Sequence, residues 1–179
     1  MKKSIVVISD SVYSLPFSKV SLVNLIKHNC KDLKDYTFRS ITSKSIDDLV
    51  NNVSKNLFEL SNLSKRQKGT AYVLCGLNEC NGGYNIPIYN TLLSSLIIEL
   101  DSINYDVVFI NIKIDHGLPG KIGGWYKRSN SILEECCSKY YAEQINPTAS
   151  VKIIDDDVII PIESSRIIVK SICDDLDRR

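Results

Sequence analysis

The chain has 179 residues, 44% of them hydrophobic, which is enough for one well-buried domain and short for two. Its formal net charge is +1, and no basic stripe is interleaved with aromatics, so nucleic acid is not expected as a partner. No apolar run is long enough to span a bilayer, and Lys2 and Lys3 precede only a handful of apolar residues before Asp10, too few for a signal-peptide core; a cytoplasmic protein with no membrane partner is expected.

The first element is Ile5-Val6-Val7-Ile8-Ser9-Asp10-Ser11, a β-branched run that stops on an acid and a hydroxyl. Such a run reads as a fully buried strand, and the carboxyl ends of strands line the ligand crevice of an α/β domain. Ser11 is thereby placed at the mouth of a site, although a serine after a strand is ordinarily a cap or turn residue. Ser14-Leu15-Pro16 then breaks the chain, and Leu22, Leu25 and Ile26 begin an amphipathic helix that ends near Asn29. Tyr36 to Ile41 alternates as a second strand. Ile46, Leu49, Val50, Val53, Leu57 and Leu60 make a helical stripe opened by Ser45, with Asp47 and Asp48 in its first turn.

The charged run Ser64 to Gly69 is a solvated loop before a third strand, Thr70 to Cys75, which ends on the turn-rich segment Gly76 to Gly83. Tyr89, Leu92, Leu93, Leu96, Ile97 and Leu100 form the next helix, and Asp106 to Ile112 the fourth strand. A loop is expected from Asp115 and His116 through Gly123, Gly124 and Trp125, with Trp125 as a core anchor. Ile132, Leu133, Cys136, Cys137, Tyr140 and Tyr141 share one helix face, so the paired cysteines are packing residues. Val151 to Ile154 is read as the fifth strand, before a closing helix that carries Ile167, Ile168, Ile172, Cys173 and Leu176. Strand and helix alternate five times, which predicts an α/β fold: a three-layer α/β/α sandwich around a five-stranded parallel sheet, in one domain over residues 1–179.

The six cysteines, Cys30, Cys75, Cys80, Cys136, Cys137 and Cys173, show neither a paired Cys-x-x-Cys arrangement nor the density of a disulfide scaffold, and read as reduced thiols. Cys75 and Cys80 have no His between them, so zinc is not expected. Asp155, Asp156 and Asp157 lack the spaced oxygens of a calcium loop. Neither Asn81-Gly82-Gly83 nor the stretch from Gly117 to Gly124 matches a nucleotide fingerprint, so no cofactor is expected.

Three segments at the ends of the first three strands carry a resemblance: Ser9-Asp10-Ser11, Ser40-Ile41-Thr42-Ser43-Lys44-Ser45 and Gly76-Leu77-Asn78-Glu79. In order and position they resemble the first three blocks of the SGNH (GDSL-type) hydrolases, which are Gly-Asp-Ser, a Gly-containing Gly-Ile-Ser-Gly-Asp-Thr-like turn, and Gly-x-Asn-Asp. The resemblance implies a flavodoxin-like SGNH-hydrolase architecture. It also implies that Ser11 is the nucleophile, with Asp10 supporting its turn. The oxyanion would be held by the backbone N–H groups of Ser11 and Ser43 and by the Asn78 side-chain amide; such donors are the usual largest contribution to acyl-transfer catalysis.

Two departures weigh against activity. Serine replaces glycine at Ser9 and Ser43, and the family's last block, Asp-x-x-His-Pro, falls on Asp157-Val158-Ile159-Ile160-Pro161, which puts Ile160 where the general base belongs. A serine without a positioned base loses several orders of magnitude in rate. His28 closes the first helix, where the dipole alone favours it, whereas His116 follows the fourth strand on the same sheet edge as Ser11 and Asn78 and is the candidate base, though an ordinary solvated loop histidine reads the same way. Three functions follow: a serine esterase or deacylase acting on a small acylated substrate such as an acetylated sugar, an inactive member whose cleft binds a ligand or protein partner, or an acyltransferase using the same cleft. Fold does not decide among them.

Overall fold

The computed structural model describes residues 2–10, 22–30, 36–82, 84–114, 118, 120–154 and 157–179. In chain order the elements are β1 (Lys3–Asp10), α1 (Leu22–Asn29), β2 (Tyr36–Ser43), α2 (Ile46–Ser64), β3 (Gly69–Leu74), α3 (Leu77–Gly82), α4 (Ile86–Ser102) and β4 (Tyr105–Ile110). They continue through β5 (Lys113–Ile114), α5 (Gly120–Tyr140), β6 (Glu143–Ile145), β7 (Thr148–Ala149), β8 (Lys152–Ile154), β9 (Asp157–Ile159) and α6 (Ile162–Leu176).

The central sheet has five parallel strands in the order β2-β1-β3-β4-β6. Both of its faces are covered, which is why β1 reads as an unbroken apolar run rather than an alternating one. Val6 and Ile8 point into a cluster with Leu49, Val53, Leu93, Leu96 and Leu133, from α2, α4 and α5. Ile5 and Val7 point the other way, into a cluster with Ile26 of α1 and Ile168 and Ile172 of α6. The three layers follow from that one alternation. The helices start where their caps sit: Ser45 accepts the Asp48 N–H at 3.3 Å to open α2, and Asn85 accepts the Ile88 N–H at 3.2 Å to open α4.

Four expectations need correction. The fifth strand of the sheet is β6, not Val151 to Ile154, whose residues Lys152–Ile154 form instead an antiparallel pair with β9. The glycine-rich stretch before Trp125 is helical from Gly120 onward; Gly123 lies so close to Leu118 that a Cβ there would fall 1.8 Å from the Leu118 carbonyl oxygen, so this glycine serves close packing rather than a loop. The turn-rich segment after β3 forms the short helix α3 over Leu77–Gly82. Cys30 and Cys173 are not free thiols: they form a disulfide between the end of α1 and α6. Cys136 and Cys137 are buried on α5 as packing residues, and burial pushes the Cys137 thiol up to about 11. Among the described residues, no helix is long and apolar enough to cross a membrane.

Candidate active site

The sheet order reverses at β1. The chain passes from β1 to β2 on one side and then places β3 on the other, so the carboxyl ends of β1 and β3 flank the switch point where open α/β sheets bind ligands. Asp10 ends β1 there, fully buried, and lies opposite Ser43 in the β1–β2 register. Across the switch point, Gly76 turns the chain out of β3 with φ +104°, a left-handed backbone that an L side chain rarely adopts; a Cβ would also meet the Tyr89 hydroxyl at 2.7 Å. The chain then enters α3, which presents Asn78 and Glu79.

These segments are clasped together. The Asn78 N–H donates to Asp10 Oδ2 at 3.4 Å, and the Asn78 side-chain amide donates to the Lys44 carbonyl. One residue on, the Ile46 N–H donates to Glu79 Oε1 at 2.7 Å. Asp10, the Lys44–Ile46 turn and Asn78 thus form one bonded unit drawn from the three segments that carried the family pattern. The side chains of the two serines that replace glycine are also engaged: Ser43 Oγ accepts the Asn52 amide of α2 at 2.6 Å, and Ser9 Oγ lies 3.5 Å from Thr42 Oγ1. Ser43 is buried, with its hydroxyl drawn toward α2.

The electrostatics of this edge are acidic. Burial raises the Glu79 pKa, and Asp47 adds to the shift, while the backbone amides of Ile46, Glu79 and Gly76 oppose it. Cys75, at the end of β3, has its pKa pushed well up by burial, then by Glu79 and Asp10, so it is held as a thiol and is a poor nucleophile. On the far side of α3, Trp125 is buried, donates from Nε1 to the Tyr84 carbonyl at 2.6 Å and stacks edge-on against Tyr89, as a core anchor does.

The strand β9 packs against α3, which brings the last-block segment beside the helix that bears Asn78. Ile160, which the resemblance aligns with the family's base, is 3% exposed and packed in the apolar cluster of α1 and α6. His28 is exposed on α1 and donates from Nδ1 to the Asn24 carbonyl at 2.9 Å, a helix-terminal role. Ser11, Asp115, His116, Asp155 and Asp156 lie outside the described residues. Among the described residues no group of three or more His, Cys, Asp or Glu side chains is placed to hold a metal ion. Glu79 is the residue whose part the sequence did not reveal; it reads only as the acid that completes the third block.

By sequence, the chain matches no family model and no curated protein. Solved structures match it over nearly its whole length. A lipase/acylhydrolase from Enterococcus faecalis superposes with a TM-score of 0.73 at 16% identity, over 99% of this chain and 96% of that one. A member of the lipolytic G-D-S-L family from Veillonella parvula gives 0.71 at 15% identity, over 99% and 100%. The fold is that of the SGNH, or GDSL-type, hydrolases. An acetyl xylan esterase also shares the SGNH fold, with a TM-score of 0.71 at 15% identity over 97% of this chain and 99% of that one. At such identities the likeness carries the architecture, and the chemistry rests on the residues at the switch point.

Proposed function

We propose that residues 1–179 act as one SGNH-type domain that is a serine esterase or deacylase for a small acylated substrate, an acetylated sugar being the favoured class. Ser11 attacks the acyl carbonyl and its proton passes to His116. The oxyanion that forms is held by the N–H groups of Ser11 and Ser43 and by the Asn78 side-chain amide. Collapse expels the alcohol, which takes the proton from His116, and water then releases the acid from the acyl-serine by the same route. The observation that supports this reading is the clasp of Asn78 between Asp10 and the Lys44 carbonyl, which holds its side-chain amide at the carboxyl end of β1, the strand that Ser11 follows in sequence.

The test is covalent labelling by a fluorophosphonate probe, read by intact mass in the wild type, Ser11→Ala and His116→Ala. A neighbour of the same fold, a psychrotrophic esterase from Pseudoalteromonas, was solved inhibited by monoethylphosphonate, which favours phosphonate chemistry for the probe. Labelling of the wild type is expected, with loss in Ser11→Ala and comparable loss in His116→Ala. Full labelling of His116→Ala removes that histidine from the mechanism.

A second reading rests on Ile160. An apolar side chain buried where the family has its base favours a cleft that binds a ligand or protein partner without hydrolysing it. A wild-type chain that is folded yet takes no label selects this reading over the first.

A further inference from the structure

Glu79 is 3% exposed, and only part of its carboxyl is used. Oε1 accepts the Ile46 N–H at 2.7 Å, whereas Oε2 has no hydrogen-bond partner among the described residues. Burying a carboxyl is costly unless it is paired; among the described residues the groups that favour its charged form are the backbone amides of Ile46, Glu79 and Gly76, and no cationic side chain is among them. Among the described residues, the titratable groups coupled to it are Asp47 from α2, Cys75 at the end of β3, Cys80 on its own helix, and Tyr84, whose hydroxyl donates to Asp47; Asp10 from β1 acts with it on both thiols. All are acidic or neutral.

Capping accounts for one carboxyl oxygen, since the Ile46 N–H is a second donor at the start of α2 without a partner inside the helix, and not for the burial of Oε2. Ser45 already caps α2 by accepting the Asp48 N–H. What Glu79 adds is a second fastening on the turn that Asn78 holds. Asn78 binds the Lys44 carbonyl, and Glu79 binds the N–H two residues later. With both in place, the turn has one register relative to α3. With Asn78 alone, the Lys44 carbonyl and the Asn78 carboxamide are free to slide together.

We propose that Glu79 is the positioning residue of this site, fixing the orientation of the Asn78 carboxamide by holding the Lys44–Ile46 turn against α3. The inference rests on the reading of Asn78 as an oxyanion donor and adds the residue that aims it. Burial raises the pKa of this carboxyl above the ordinary range, so the fastening changes character on the alkaline side of an ordinary glutamate titration.

The experiment is NMR on the full chain, following the Glu79 carboxyl carbon, the Asn78 side-chain amide and the Ile46 N–H in the wild type, Glu79→Gln and Glu79→Ala. In the wild type the Asn78 amide signals are expected to titrate together with the Glu79 carboxyl. In Glu79→Gln, which keeps an acceptor, they should stay near their wild-type positions and stop titrating. In Glu79→Ala they should move toward those of an unrestrained carboxamide, while exchange at Ile46 speeds by about tenfold, as loss of a charge-assisted hydrogen bond implies. Asn78 signals that ignore the Glu79 titration and match the wild type in Glu79→Ala, even as Ile46 exchanges faster, reduce Glu79 to a helix cap and overturn the proposal. Should Glu79→Ala fail to fold, the wild-type titration and Glu79→Gln decide alone. Fluorophosphonate labelling on the same samples separates the two readings: an unlabelled wild type removes Ser11 as nucleophile, while the spectra still decide Glu79.

Discussion

Asp10 and Asn78, 68 positions apart in the chain, meet across the switch point of the sheet: the buried Asp10 carboxylate accepts the Asn78 backbone N–H at 3.4 Å. Asp10 ends β1 and Asn78 lies in the first turn of α3, so this contact ties the strand that precedes Ser11 to the helix that bears the amide proposed as an oxyanion donor.

Asp10→Ala removes the acceptor of that partly buried N–H, a loss of about 1 kcal/mol. It also frees the start of α3 to shift, and misplacement of a catalytic group by an ångström costs up to roughly a hundredfold in rate. Urea denaturation and fluorophosphonate labelling are expected to show both losses, with Asp10→Asn, which keeps an oxygen acceptor, losing less of each. Labelling by Asp10→Ala at the wild-type rate removes Asp10 from the support of the site.

The sequence shows this architecture where burial is complete on both faces. β1, β3 and β4 are runs of Val, Ile, Tyr and Phe that no exposed segment would carry, and the three segments of the family pattern fall at the ends of β1, β2 and β3. β6 is hidden because Glu143-Gln144-Ile145 is short, lies at the sheet edge and is not fully buried, so it has no apolar signal, while the more apolar Val151 to Ile154 goes to a hairpin. The start of α5 is hidden because glycine marks both loops and close backbone approach, and Gly123 is the second kind. Within the site, Asp10 and Asn78 stand out through the spacing of motifs. Glu79 does not, because its part depends on which N–H reaches it, and that is settled by the Lys44–Ile46 turn folding back from β2.

The Cys30–Cys173 disulfide closes a sequence separation of 143 residues, which spacing alone cannot disclose. The chain-entropy account assigns a closure of this length about 4–5 kcal/mol. Thiol titration of the unfolded, unreduced protein is expected to find the four free cysteines Cys75, Cys80, Cys136 and Cys137, and Cys30→Ser/Cys173→Ser should unfold at clearly lower urea. Six titrating thiols would restore the reading that all the cysteines are reduced. Equal urea midpoints with and without a dithiol reductant would show that α1 and α6 gain nothing from the link.

Glu79 sets a direction for stability against pH. Its pKa is raised by folding, so the native state holds this proton more tightly than the unfolded chain does. The resulting stabilisation is complete below the ordinary carboxylate range and is lost as pH rises through the raised native value. Glu79→Gln has no such proton to lose and keeps an acceptor for the Ile46 N–H. Its thermal midpoint is therefore expected to approach that of the wild type in acid and to exceed it increasingly toward neutrality and above. A difference that stays constant with pH, or that shrinks as pH rises, contradicts a raised pKa at this carboxyl.

Ile160 offers the sharpest test of the proposed hydrolytic site. β9 lies against α3, and Ile160 follows it directly before α6, so an imidazole at this position would project from the segment that carries the base in the resembling family. The side chain is 3% exposed within an apolar cluster, and replacing it with an uncompensated polar ring costs about 1–3 kcal/mol. Ile160→His placed in the His116→Ala background is expected to restore fluorophosphonate labelling at Ser11, with a rate that rises with pH as the imidazole loses its proton. The same double variant, folded by circular dichroism and as inert as His116→Ala, would show that position 160 does not reach the serine. The cleft would then differ from the family's in shape as well as in its missing base, and the ligand-binding reading would gain.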